Sequence, residues 1–153
     1  MLLVVLTFMI GVVAGLRAML PIAVVAWGAN LGSVPLLGTH LAWLGNAIAP
    51  WIFSVLTVGE LINDKLPATP SRKIPPQFIA RIVSGGFAGA AIGLSKDLMV
   101  VGLSVGALGA LVGTLGGAVA RGKLATRFGK DLPAALTEDA VAILLSIAVV
   151  TQL

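Results

Sequence analysis

Seven ionisable residues stand where a largely apolar chain has little reason to keep them: Arg17, Glu60, Asp64, Arg81, Arg121, Glu138 and Asp139. Glu60 and Asp64 are four residues apart, so a helix brings both carboxylates to one face. Carboxylates paired in this way can coordinate a cation, hold a proton between them or clamp an arginine. Glu138 and Asp139, in "TEDA", form a second acidic group, and Arg17, Arg81 and Arg121 supply the cations. A charge at the centre of an isolated membrane helix costs about 2.5–3.5 kcal/mol on insertion scales. Each of the seven therefore needs a partner, an interfacial position or a water-filled cavity, and together they are the candidate polar site.

Composition says what surrounds them. The chain is 58% hydrophobic and 10% charged, with a mean hydropathy of +1.08, so its solvent is lipid. A length of 153 residues makes a single all-α transmembrane domain of about five helices. Cysteine is absent and His40 is the one histidine, which excludes a disulfide framework, a thiol nucleophile and a histidine metal cluster. A net charge of +4 with 5% aromatic residues points to membrane orientation and anionic headgroups rather than nucleic acid. There is no HExxH, Cys–His pair or phosphate-binding GxxxxGK[ST]. No catalytic residue and no cofactor are assigned, and the chain leaves the identity of any metal open.

Five spans must position the charges: residues 2–27, 41–65, 78–95, 98–120 (continuing helically to about 128) and 132–151. The first has no basic n-region and outlasts a signal-peptide core, so it is read as a retained span. In "GLRAMLP", Pro21 denies a donor to the Arg17 carbonyl, which predicts a distorted helix facing protein or a cavity. Arg17 then lines that cavity or snorkels to the headgroups. Pro50 either kinks the second span or begins it, the latter leaving the preceding stretch re-entrant or interfacial. "LPATPSRKIPPQ" is a connector, and Asp131 is expected to cap the last helix with Pro133 in its first turn.

Lys65, Arg72, Lys73 and Arg81 lie in or beside one connector, and Arg121, Lys123, Arg127 and Lys130 in another. Only Lys96 and His40 lie opposite. The positive-inside rule then predicts an N-terminus in the cytoplasm and a C-terminus outside. Lys65, Arg72 and Lys73 are expected to face headgroups.

Glycines recur at four-residue spacing: Gly11 and Gly15; Gly85, Gly89 and Gly93; Gly102 and Gly106; Gly109, Gly113 and Gly117. Such stripes let helices approach closely, within a chain or between the protomers of an expected homodimer, or expose carbonyls to an ion path. A glycine span ending in an arginine, followed by a span with two acids, occurs twice. This suggests inverted pseudo-repeats at 1–65 and 98–153 with a linking helix at 78–95.

"GLRAMLP", "GELINDKLPATPSR", the Arg81–Gly86 "R…GG" and "LTEDAVA" together resemble domain-of-unknown-function family 4126, small polytopic membrane proteins. The resemblance runs from Gly11 to about Ser146. It implies a polytopic inner-membrane protein and groups Arg17, Glu60, Asp64, Lys65, Pro67, Arg81, Glu138 and Asp139 as functional candidates without assigning roles. The leading expectation is an ion or small-solute transporter or channel. The alternatives are a non-transporting membrane scaffold or assembly partner and a lipid-modifying membrane enzyme.

Overall fold

A computed structural model of the chain describes residues 1–66 and 71–153. The described residues form six α-helices: α1 Leu2–Leu16, α2 Leu20–Leu31, α3 Ala49–Asn63, α4 Pro75–Leu94, α5 Met99–Phe128 and α6 Asp131–Val150, with one 3-10 turn at Ala42–Gly45. α4, α5 and α6 are long and apolar enough to cross a membrane; α1, α2 and α3 are shorter apolar helices.

Directions follow from the close approaches. A methyl group on Gly109 would overlap the Phe8 carbonyl, one on Gly113 the Val12 carbonyl, and one on Gly117 the Leu16 side chain, so α1 and α5 run parallel. Gly85, Gly89 and Gly93 meet Gly106, Gly102 and Leu98 in reverse order, so α4 runs against α5. α6 also opposes α5, because Arg121 reaches Asp131 while Gly117 lies beside Glu138. α2 runs with α6: Arg17, just before it, pairs with Asp139, and Gly28 near its end abuts Val150. It follows that α1 and α2 are antiparallel. The expected first span, residues 2–27, is a helical hairpin whose tip is Arg17–Ala18–Met19.

Proline explains the break and its position. Pro21 falls in the first turn of α2, where the missing N–H is an orphan in any case. Arg17 is extended, with φ −142° and ψ 115°, and the chain reverses there instead of kinking. Both termini consequently lie at one end of the bundle, and Leu3 and Leu153 pack on the same hydrophobic cluster. The sequence expectation put the termini on opposite sides, whereas the described helices bring them to the same end.

The second span resolves as α3, beginning at Ala49 with Pro50 in its first turn. The stretch before it packs over the terminal end, with Val34, Leu36 and Leu44 buried among α2, α4 and α6. All three tryptophans gather nearby. Trp27 lies 5.1 Å from Trp51 in a T-shaped pair and donates from Nε1 to Ser54 Oγ at 3.0 Å, while Trp43 is 6.4 Å from Phe53 and Phe87. α4 begins at Pro75, earlier than expected, since prolines suit a first turn. The connector expectation at residues 67–70, Pro67 and Pro70 included, falls outside the described residues.

The centre of the fold is glycine against glycine. A methyl on Gly11 would overlap the Gly106 carbonyl, and one on Gly89 the Gly102 carbonyl. Lipid gives helices no hydrophobic drive to associate, so backbone proximity and dispersion hold them. Gly117 apart, these stripes are buried within one chain, in contacts between its own helices. The repeat pattern also resolves. The first matched pair, α1 and α5, runs parallel, while α3 and α6 run antiparallel, so no single axis relates both pairs.

Candidate functional site: a charge cluster at the hairpin tip

Breaking a helix inside a bundle frees backbone groups at both ends. Here charged side chains take them up. Arg81 Nη1 donates to the carbonyls of Gly15 at 3.0 Å and Leu16 at 2.6 Å, ending α1 with a cation. Glu60 accepts from the N–H groups of Ala18 at 2.7 Å and Met19 at 2.8 Å, beginning α2 with an anion. Each sign matches the helix dipole it meets. The Ser84 hydroxyl donates to the Ala18 carbonyl. Glu60 and Arg81 lie 3.7 Å apart, within reach of each other as a charge pair. Their closer bonds, however, are to the backbone.

Arg17, the first residue of this tip, is fully buried. Its Nε donates to Asp139 Oδ1 at 2.7 Å, its Nη1 lies 2.9 Å from Asp64 Oδ2, and its Nη2 lies 3.9 Å from Glu138 Oε2. It does not snorkel. Arg121 pairs with Asp64, grips Asp131 through Nε at 3.0 Å and Nη2 at 2.7 Å, and approaches Glu138 at 3.6 Å. All seven sequence candidates thus join one cluster, drawn from the hairpin tip, α3, α4, α5 and α6.

Three further members lie outside those seven. Lys65, expected among headgroups, reaches Asp139 Oδ2 at 2.5 Å and the Leu61 carbonyl at 2.8 Å. Arg72, expected likewise, is buried and grips both Glu138 oxygens, at 2.5 and 2.9 Å. Arg72 turns inward because Glu138, buried near the start of α6, needs a cation. Asp131, expected as a cap, is the first residue of α6 with Lys130 at the N-cap, and its carboxylate serves Arg121. The signal that could have found the cations is charge balance, since the seven comprise four acids and three arginines. Lys73 is exposed.

The finished cluster is electrically even. Arg17, Lys65, Arg72, Arg81 and Arg121 face Glu60, Asp64, Asp131, Glu138 and Asp139. On its open side is a cavity of about 530 Å³, lined by Asp64, Lys65, Arg72, Arg121 and Asp131 with Ser71 and apolar neighbours. Asp64 is the bridge between the interior and that cavity, bonded to buried Arg17 on one side and to Arg121 on the other. Among the described residues no group of three or more His, Cys, Asp or Glu is arranged to hold a metal ion.

The family described as Domain of unknown function (DUF4126) matches residues 4–152. The chain belongs to this family. The match extends the resemblance seen around the charged motifs to nearly the whole DUF4126 chain, hairpin and cluster included. Comparison with curated proteins and with solved structures returns no match.

Proposed function

We propose that this DUF4126 protein is an ion or small-solute transporter or channel of the bacterial inner membrane. The observation that carries the reading is the broken helix at residues 17–19, separated by one layer of ion pairs from a polar cavity of about 530 Å³. Irregular backbone at membrane depth persists only where protein buries it or water reaches it, and transporters build sites from such discontinuous helices. Lys123, Arg127 and Lys130 support a cytoplasmic position for the cavity end under the positive-inside rule. The tryptophans then mark the outer interface, both termini lie outside, and α1–α2 is a re-entrant hairpin.

In this reading Asp64 exchanges partners. An ion or polar solute entering from the cytoplasm competes for Arg121 or Asp64, and loosening that pair weakens the hold on Arg17 at the tip. Purified protein in liposomes, under an ion or pH gradient, tests it. Flux above empty vesicles that falls in Asp64→Asn is expected. Flux equal to empty vesicles across a broad panel of ions and small solutes overturns the reading.

The balance of charges favours a second reading, a non-transporting scaffold, because every charge in the cluster already has a partner in its own chain. Cross-linking in native membranes separates the two. A reproducible heterologous partner favours the scaffold.

A further inference from the structure

A second cleft, of about 130 Å³, lies between α5 and α6 beside the charge cluster, at the end of the bundle that the proposed orientation assigns to the cytoplasm. Its walls are Gly117, Ala120 and Leu124 on α5 with Thr137 and Val141 on α6, and the charges at its back, Arg121 and Glu138, approach each other at 3.6 Å. Gly117 keeps the floor open, since a methyl there would overlap Leu16 and press on the Arg72–Glu138 pair. Ala120, Thr137 and Val141 are exposed, so the cleft opens sideways toward lipid.

The stripe has a charged end. Gly117, Ala120, Leu124 and Arg127 share one face of α5 by their spacing of three, four and three, and Lys130 stands two turns before Thr137 at the head of α6. Arg127 and Lys130 are exposed and have no acidic partner among the described residues. An apolar cleft that leads in about 10 Å to two free cations matches one kind of molecule. We infer that the α5–α6 cleft binds an anionic phospholipid of the cytoplasmic leaflet. One acyl chain lies along Gly117, Ala120 and Leu124, and the phosphate lies between Arg127 and Lys130. The inference does not depend on transport, since the cleft lies beside the polar cavity and its headgroup contacts are not cluster members.

The two parts contribute unequally. A basic residue near an anionic headgroup is worth enough for about a fivefold change in occupancy. The chain adds fit more than drive, because the surrounding lipid is as apolar as the cleft. Protein in neutral detergent micelles is titrated with phosphatidylglycerol, with phosphatidylcholine and with inorganic phosphate, and lipid retained per protomer is read by native mass spectrometry. Phosphatidylglycerol should be retained about 25-fold better than phosphatidylcholine, about fivefold for each of the two basic residues. Arg127→Gln with Lys130→Gln should erase that preference, and Ala120→Phe should lower phosphatidylglycerol retention about two- to threefold. All three positions are exposed, and unchanged lipid-free melting confirms that the variants fold. Equal retention of the two lipids, a preference that survives the double variant, or indifference to Ala120→Phe would each overturn the assignment. So would displacement of phosphatidylglycerol by millimolar inorganic phosphate, which would mark a free-anion site.

Discussion

One helix, α1, is held by opposite means along its length. From Phe8 to Gly15 it lies against the glycines of α5, with backbone touching backbone and no ionisable side chain at the contact. One turn further on, its last carbonyls meet Arg81, and the chain leaves it through a buried arginine that three carboxylates surround. The first region is specified by volume and is indifferent to pH and salt. The second is specified by charge. In it a side chain of the wrong size can be accommodated beside a cavity, while a side chain of the wrong charge cannot. The lesson is that a chain without hydrophobic drive has two ways to fix a geometry, and this one uses shape in the apolar half and ion pairing where the helix must break.

Neutralising Arg17 is the strongest way to break the charged region. Arg17→Met fills much of the same space but leaves Asp139 and Asp64 short of a cation inside the bundle. Removing one partner of a buried pair is worth about 3–5 kcal/mol. The melting temperature in detergent should fall steeply, and adding Asp139→Leu should return part of the loss. A double variant no more stable than Arg17→Met alone would show that Arg17 acts by volume.

The glycine region breaks by the converse change. Gly89→Leu adds no charge but drives a side chain into the Gly102 carbonyl and the Gly106 backbone, neither of which is a flexible side-chain end. Overpacking of this kind costs about 3 kcal/mol or more where backbone must move. Val100→Leu, at a position 77% exposed, is the control and should melt like wild type. Equal behaviour of the two would show that α4 and α5 do not pack along this stripe.

How these regions are legible in the sequence differs in the same way. Glycines at four-residue spacing are a local signal, so their spacing alone puts Gly85, Gly89 and Gly93 on one helix face. Which helix that face meets is a tertiary fact, and periodicity is silent on it. The charges are legible as a set because each is expensive alone in lipid, but pairing is a matter of three dimensions. Arg72 looks like a connector residue because its partner, Glu138, is 66 positions away in sequence. The hairpin is the largest departure from the sequence expectation. Pro21 marks a break equally well for a kink and for a reversal, and only the capping of both broken ends, by Glu60 and Arg81, selects the reversal.

That capping can be tested directly. Glu60→Gln keeps one acceptor oxygen for the Ala18 or Met19 N–H but loses the charge at the α2 N-terminus. The expected loss is about 1–2 kcal/mol, the range for a partly buried charge at a helix end and one hydrogen bond to it. Arg81→Gln on that background should cost less than it does alone, because the two charges lie 3.7 Å apart. Strict additivity in this double-mutant cycle would show that each holds its own half-helix independently.

The smallest effect should come from within the charged region itself, and it sharpens the contrast between burial and charge. Asp131 and Glu138 both bind an arginine through two oxygens, yet the Asp131 side chain is 61% exposed and that of Glu138 is 6%. Water competes for Arg121 at the first site and has little access to Arg72 at the second. Exposed pairs are typically worth about 0.2–1 kcal/mol, and breaking buried ones about 3–5 kcal/mol. Asp131→Asn should therefore shift the melting temperature only slightly, and the shift should shrink further in high salt. Glu138→Gln should produce a large, salt-insensitive loss. If Asp131→Asn proved as damaging as Glu138→Gln, charge balance across the whole cluster, and not burial of each pair, would be what holds the hairpin tip in place.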